Sequence, residues 1–399
     1  MYSSTDFNAK PSFSTPVQPA ARCLHQLRIR ENLTRPELAE DTNLSQATVT
    51  RQITALIAAG LIRERTDLAV SGTAGRPRIP LELAPSPWMH AGIHLGLTTS
   101  RVALVDTHGR IIREVSLEIK VRGADPQDVL EKLIARVHLL RNGLPLPLRT
   151  VGIALPGQSR ETDDGVVVDS QLFDWIAVPV EKILNDELGV PATIAPNVAA
   201  MAASELFATP LKPGHNHDET AALYFYGREQ IGVALIISGA VHLPVGGDGS
   251  IGHLEAAKSD LLGSPKHTSL QETAGETAVL AAARRAGITV EKITHLVKLG
   301  ASNPVAREIL NERARVLGEA IVQAADIVDP HHVVLAGKAF TQDPAGLHMV
   351  ARTVELGSIV HRDLRVSQTH GGVTLEACRA VAMDALYSDP LMVAGLQPL

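Results

Sequence analysis

The strongest constraint in this chain is a tight succession of helix starts and stops between Asn32 and Gly60. Thr34 precedes Arg35-Pro36-Glu37-Leu38. Thr34 can cap a helix, Pro36 falls in the first turn where its missing N–H costs nothing, and Glu37 completes a capping box. The helix is short, through Glu40, and Asn43-Leu44 makes a turn. Ser45 is then a fresh cap, with Thr48 at the third helical position. The next helix runs to about Ala59 and stops at Gly60. Its apolar residues Val49, Ile53, Leu56 and Ile57 follow the helical period. An earlier helix is expected over Ala21–Arg30, carrying Leu24, Leu27 and Ile29. After Gly60, Leu61–Arg65 reads as a strand, a glycine-containing tip follows, and Ile79–Leu83 is the return strand.

Helix, short capped helix, turn, capped helix and hairpin in that order describe a winged helix-turn-helix, here over residues 21–83. The polar face of the third helix holds Gln46, Thr48, Thr50 and Arg51, with Ser45 at its cap. Short polar side chains and one arginine near a helix start suit close approach to base edges in a major groove. The bland alternative is a small helical bundle with no DNA role. Gly75-Arg76-Pro77-Arg78 resembles a minor-groove-binding Arg-Pro-Arg segment, so Arg76 and Arg78 are candidate DNA contacts; an ordinary loop is the other reading.

Charge supports this modestly. The chain carries −6 overall, yet residues 1–83 hold ten basic and eight acidic residues. No lysine occurs between Lys10 and Lys120, so every strong cation in that stretch is arginine, which recognises guanine edges and phosphates with two parallel bonds. A GC-rich coding bias explains the same detail. Residues 1–20 are rich in Ser, Pro and Thr without an apolar segment and read as a disordered tail, not a signal peptide. Cys23 and Cys378 give neither a disulfide framework nor a zinc motif, which fits a reducing cytoplasm. The longest apolar run, near Ile231 to Val241, is too short to span a bilayer.

The body, residues 88–399, alternates strands and helices. Met89–Leu95, Arg101–Val105 and Arg110–Ile119 read as strands, Asp125–Leu140 as an amphipathic helix, and Val151–Leu155 as a buried strand ending in Pro156-Gly157. That order looks like the ribonuclease H-like core of actin-like ATPases and sugar kinases. The expected fold is therefore α/β: a winged helix-turn-helix followed by a two-lobed actin-like sugar-kinase fold.

Several stretches make the resemblance specific: Val151-Gly152-Ile153-Ala154-Leu155-Pro156-Gly157, Leu188-Gly189-Val190-Pro191, Ser250-Ile251-Gly252-His253, and Gly318 through Gly337 with Asp329-Pro330. On these residues the chain resembles the ROK family (repressors, open reading frames, kinases), and with its head it resembles that family's sugar-responsive repressors. The resemblance also marks departures. Where family kinases carry Asp-x-Gly-x-Thr, this chain has His94-Leu95-Gly96-Leu97-Thr98. Where they carry a glycine-rich phosphate loop, it has Gly227-Arg228-Glu229-Gln230-Ile231-Gly232. Asn197 stands where the general base should be, and an amide cannot accept the sugar hydroxyl proton. Of the family's zinc motif His253 remains, while the thiolate positions read Gly263, Pro265 and Leu270; one histidine cannot hold a structural zinc. His215, His217, His331 and His332 are expected in loops at the solvated surface.

The resemblance leaves Asn197, His253 and Glu272 as ligand-contact candidates. For His253 a satisfied structural histidine, and for Glu272 a plain helix-start carboxylate, are the competing readings. The combined expectation is a DNA-binding regulator, most simply a repressor, without catalysis, cofactor or metal. Its partners would be operator DNA, a sugar-like effector held between the lobes near Asn197 and His253, and further copies of itself as a homodimer or homotetramer. The competing functions are an active sugar kinase and a ligand-free architectural DNA binder.

Overall fold

The computed structural model describes Phe7 and residues 10–68, 78–163, 165–207, 220–228, 230–263, 268–367 and 372–395. The chain divides into two units, residues 1–217 with 239–241 and 374–399, and residues 218–238 with 242–373. The second unit is thus an insertion, and the chain returns to the first for its last helices.

The head opens the first unit. Helix α1 (Pro19–Ile29) starts with a proline, α2 (Arg35–Thr42) has the expected capping box, and Asn43 ends it in the left-handed conformation. Helix α3 (Gln46–Ala58) is capped by Ser45, whose Oγ accepts from the Thr48 N–H at 3.1 Å. Strands β1 (Ile62–Glu64) and β2 (Leu81–Leu83) pair antiparallel, with a 3-10 turn at Thr66–Leu68 after β1. The Leu81 N–H also reaches the Leu33 carbonyl at 2.9 Å, so the wing is stitched to the loop before α2. Leu24, Leu27, Leu38, Val49, Ile53, Leu56 and Leu81 form the buried interior.

From Lys10 onward the described residues depart from the expected disordered tail over 1–20. Phe13 is fully buried. The backbone N–H groups of Ser12 and Phe13 donate to the two carboxylate oxygens of Asp384 at 2.8 and 2.7 Å, and Thr15 N–H reaches the Gly239 carbonyl at 2.7 Å. Burial pushes the Asp384 carboxyl up to about 6, against the two N–H donors that favour its charge. A composition argument could not see an acceptor so distant in sequence.

In the body of the first unit, β3 (Met89–His94), β4 (Thr99–Asp106) and β5 (Ile111–Glu118) form an antiparallel meander. Helix α4 (Pro126–Arg141), capped by Asp125, leads to β6 (Leu148–Leu155), parallel to β3. A small sheet of β7 (Gln158–Thr162), β8 (Gly165–Ser170) and β9 (Trp175–Val178) precedes α5 (Val180–Leu188), which stops at left-handed Gly189. Strand β10 (Ala192–Pro196) joins parallel to β6, and α6 (Asn197–Phe207) follows at once. The sheet order is β10-β6-β3-β4-β5.

The second unit repeats that plan. Strands β11 (Ala221–Gly227), β12 (Ile231–Ile237) and β13 (Ala240–His242) form the meander. Helices α7 (Leu270–Ala274), α8 (Glu276–Arg285), α9 (Ile293–Leu299) and α10 (Pro304–Val328) follow. Strand β14 (His332–Ala336) then pairs parallel to β11, and after α11 (Lys338–Thr341) and α12 (Pro344–Gly357), β15 (Asp363–Val366) pairs parallel to β14. Read from its other end, as β15-β14-β11-β12-β13, the order of this sheet matches the first sheet position for position. Parallel strands require long crossovers, and both units supply them as helices.

Helices α13 (Val373–Ser388) and α14 (Pro390–Gly395) end the described chain, α13 lying with the first unit from Thr374 onward. Gly92 and Gly152 face each other across β3 and β6. A methyl group on either would lie 2.0 Å from the Cys378 carbonyl oxygen or 2.3 Å from that of Val381. The two glycines therefore let the α13 backbone rest directly on the sheet.

Candidate nucleic-acid interface

Helix α3 buries Val49, Ile53 and Leu56 against the head, leaving Gln46, Thr50, Arg51 and Thr54 exposed. Ser45 and Thr48 share a hydroxyl contact of 2.9 Å as part of the cap. Their first task is thus to hold the helix start, while Gln46, Thr50 and Arg51 project freely. Thr54 belongs to the same exposed face, although its hydroxyl donates to the Thr50 carbonyl at 2.9 Å.

The head arginines are not equivalent. Arg35 pairs with Glu64 at 2.7 Å, Arg65 with Asp67 at 2.6 Å and with Glu82 at 2.7 Å, and Arg63 also with Glu82. Arg30 pairs with Asp41 at 2.5 Å. Arg51 and Arg78 are exposed and have no ion pair among the described residues. The wing's charge is largely neutralised internally, and the cation on α3 is left available to an outside anion. Arg76 lies outside the described residues.

In the body, His94 ends β3 and is buried, and Asn197 is the first residue of α6. Asn197 is only 4% exposed. Its Nδ2 donates to the Leu95 carbonyl at 3.2 Å, and its Oδ1 has no partner among the described residues. The segment Gly227–Ile231 closes the β11–β12 hairpin, with the Arg228 N–H reaching the Gln230 carbonyl at 3.1 Å; Glu229 lies outside the described residues. A methyl on Gly227 would sit 3.0 Å from the Phe340 ring, so this glycine serves packing.

Ser250 bridges to Gly232, and its N–H donates to Asp248 at 2.9 Å. His253 is exposed and has no hydrogen-bond partner among the described residues. Glu272 is also exposed. Its Oε2 accepts from the Ser269 hydroxyl at 2.8 Å and the Ser269 N–H at 3.1 Å, the capping box of α7. These bonds hold its carboxyl below the usual range. Leu270 begins α7, Gly263 has a left-handed φ of 81°, and Pro265 lies outside the described residues. Among the described residues no three His, Cys, Asp or Glu side chains are grouped to hold a metal ion. His215 and His217 lie outside those residues. His332 corrects the loop expectation, because it opens β14 and is partly buried; His331, exposed, accepts from the Ala221 N–H at 3.1 Å. No described helix is long and apolar enough to cross a membrane.

Residues 18–68 match the MarR family, whose match ends just past β1 of the head. The chain is 36% identical over 397 residues to transcriptional regulator Rv0485 of Mycobacterium tuberculosis, covering 96% of this chain and 88% of that protein. The dual regulator NagC of Escherichia coli is 22% identical over 332 residues, 78% of each chain. A crystal structure of a ROK family transcriptional regulator, a homologue of the E. coli MLC protein, superposes with a TM-score of 0.74 at 20% identity, covering 94% of this chain and 98% of that one. Residues 90–368 match the ROK family across both repeated sheets, and the chain belongs to that family, on its branch of transcriptional regulators with a helix-turn-helix head.

Proposed function

We propose that this regulator binds double-stranded operator DNA through the exposed face of α3, with Gln46, Thr50 and Arg51 at base edges and Ser45 and Thr48 fixing the helix start beside them. Arg78, with Arg76, would contact the backbone or minor groove from the wing. The observation that carries this reading is Arg51, an exposed and unpaired cation in a head whose neighbouring arginines are matched to carboxylates. A helix-turn-helix reading two half-sites works as a symmetric pair, so the DNA-bound form would be a homodimer or a homotetramer. Arg51→Ala should weaken specific binding by roughly 1–3 kcal/mol in a mobility-shift titration. Unchanged affinity would remove α3 from the interface.

The body would sense a small molecule and not phosphorylate it. Asn197 supports this, because its amide cannot take a proton from a hydroxyl and its Nδ2 is already engaged at Leu95. Asn197 in the first unit, with its Oδ1 unpartnered among the described residues, and His253 in the second, with its exposed ring, are each a separate candidate contact for effector hydroxyls. Glu272 would add to them only by releasing its cap. Similarity to NagC and to the xylose repressor of Bacillus subtilis, 24% identical over 224 residues, favours a sugar or sugar derivative. A ligand that binds the native state raises its apparent stability, so a thermal-shift screen of sugars and phosphosugars tests the sensor reading, and ADP release with ATP and hexoses tests the absence of catalysis.

A further inference from the structure

Within the first unit, a cavity of about 300 Å³ lies where α1 of the head meets the body. Its walls are Arg28 of α1, the β4–β5 turn at His108 to Arg110, the end of α6 at Ser204 and Phe207, and Glu376, Arg379 and Tyr387 of α13. Three guanidinium groups thus surround it. Arg110 is matched by Asp106 at 2.8 Å, and Arg379 by Glu376.

Among the described residues Arg28 has no carboxylate partner. It stacks over the Tyr387 ring, 4.7 Å from the centroid; its Nη2 donates to the Phe207 carbonyl and lies 3.1 Å from His25 Nδ1, and its Nε is buried without a partner among those residues. Stacking on the aromatic ring leaves Nη1, which no described residue engages, for a planar or tetrahedral oxyanion. Three cations against two carboxylates leave one positive charge for a ligand to neutralise. The volume sits at the small end of the range for metabolite pockets.

We propose that this cavity binds a small metabolite bearing an oxyanion head, carboxylate or phosphate, and that its occupancy alters DNA binding by the head. The charged head completes Arg28, with Arg379 beside it. The route to DNA is short: Arg28 belongs to α1, and α1 packs against α3, which carries the exposed DNA-facing residues. On the other side, α13 rests on the sheet at Gly92 and Gly152 and does not yield. A ligand gripping both α1 and α13 would shift DNA affinity by its differential affinity for alternative placements of the head. The coupling rests on the DNA-binding reading above; the site itself does not.

The test uses the full chain with inorganic phosphate and malonate as probes, each compared with chloride at matched ionic strength. Thermal unfolding reads the site, and fluorescence anisotropy with duplex DNA reads the coupling. Wild type should gain about 2–4 °C in Tm when a probe exceeds its Kd tenfold. Arg28→Gln and Arg379→Gln should each weaken the probe at least tenfold, while Arg136→Gln, an exposed cation on α4, should retain the gain. The side chain of Arg379 is 41% exposed, so its variant is the safer if Arg28→Gln misfolds. A gain with phosphate alone assigns a tetrahedral head, and a gain with malonate alone a planar one. No gain with either probe, or an undiminished gain in Arg379→Gln, overturns the site. In the anisotropy arm, the effective probe should change duplex affinity at least threefold in wild type and not in Arg379→Gln. Unchanged affinity in wild type overturns the coupling. A wild type that binds no duplex refutes instead the DNA-binding reading, leaving the thermal result to judge the site.

Discussion

In the first sheet, the central strands β3 and β6 bring Gly92 opposite Gly152, and the backbone of α13 occupies the space where side chains would stand. In the second, the corresponding strands β11 and β14 bring Phe225 opposite Leu335 and Leu223 opposite Val333, and Phe225 meets Phe340 edge-on at 6.0 Å. One strand order is thus finished in two ways. The second unit closes over an ordinary apolar core. The first gives up side-chain packing at its centre to seat a helix that comes from the end of the chain. That helix also holds the N-terminal arm through Asp384 and meets α1 through Tyr387. The difference teaches that the first unit is built as a mount for the head, and the second is not.

The largest expected effect breaks that seat. Gly152→Val would drive side-chain atoms into the Val381 carbonyl, and neither sheet nor helix backbone can move aside cheaply. We expect a loss above about 4 kcal/mol in urea unfolding, the range reserved for such backbone conflicts. The same change at Gly189, where nothing lies within 4 Å, should cost less, through its left-handed φ of 65° alone. Equal losses would mean that α13 does not need the glycine pair.

Much of this was legible beforehand. The caps at Thr34 and Ser45 act locally, within three residues, and the head follows from them. The β3–β4–β5 meander and the β6 strand follow from turn residues and apolar runs. What was not legible depends on distant partners: Phe13 and Ser12 on Asp384, Arg28 on Tyr387, and α13 on two glycines. Glu272 shows the intermediate case. The pattern Ser269-x-x-Glu272 is a capping box that sequence alone could have weighed more heavily, whereas the exposure of His253 could not be read from its neighbours.

Acid should also separate the two sheets. His90 in β3 is fully buried between the Trp88 indole N–H, 3.1 Å from its Nε2, and the Thr150 hydroxyl, 2.7 Å from its Nδ1. Burial, aided by Arg149, pushes it down to about 3, so it stays neutral when folded. In the unfolded chain the ring titrates near 6.5. Between those values the unfolded state binds the extra proton, so stability present above pH 6.5 is lost as pH falls toward about 3. The loss should amount to a few kcal/mol. In the second sheet His332 is only partly buried; burial and then Arg365 also hold its ring below the usual range, so it acts in the same direction. Unfolding measured from pH 7 to 4 should show a shallower acid slope for His90→Gln than for wild type, and a smaller change in the same direction for His332→Gln. Matching slopes in wild type and His90→Gln would place the acid sensitivity elsewhere.

The smallest expected effect divides the head itself. Ser45 and Arg51 are both on or beside α3 and both exposed, yet their surroundings assign them different work. The Ser45 hydroxyl satisfies a backbone N–H that would otherwise be an orphan of the helix start. Arg51 satisfies nothing among the described residues. Ser45→Ala should therefore cost about 1 kcal/mol of stability. Arg51→Ala should leave stability within about 0.5 kcal/mol, as a surface change does, and take its effect in DNA affinity. The discriminating measurement sets urea midpoints beside mobility-shift affinities for both variants. If Arg51→Ala destabilises as much as Ser45→Ala and loses no affinity, the exposed face of α3 is structural. Ser45→Ala should also weaken DNA binding, but only as far as the first turn frays. Ser45→Asp restores the cap while adding a negative charge where phosphates would lie. Recovered stability with further weakened binding in that variant would show that the start of α3 faces DNA.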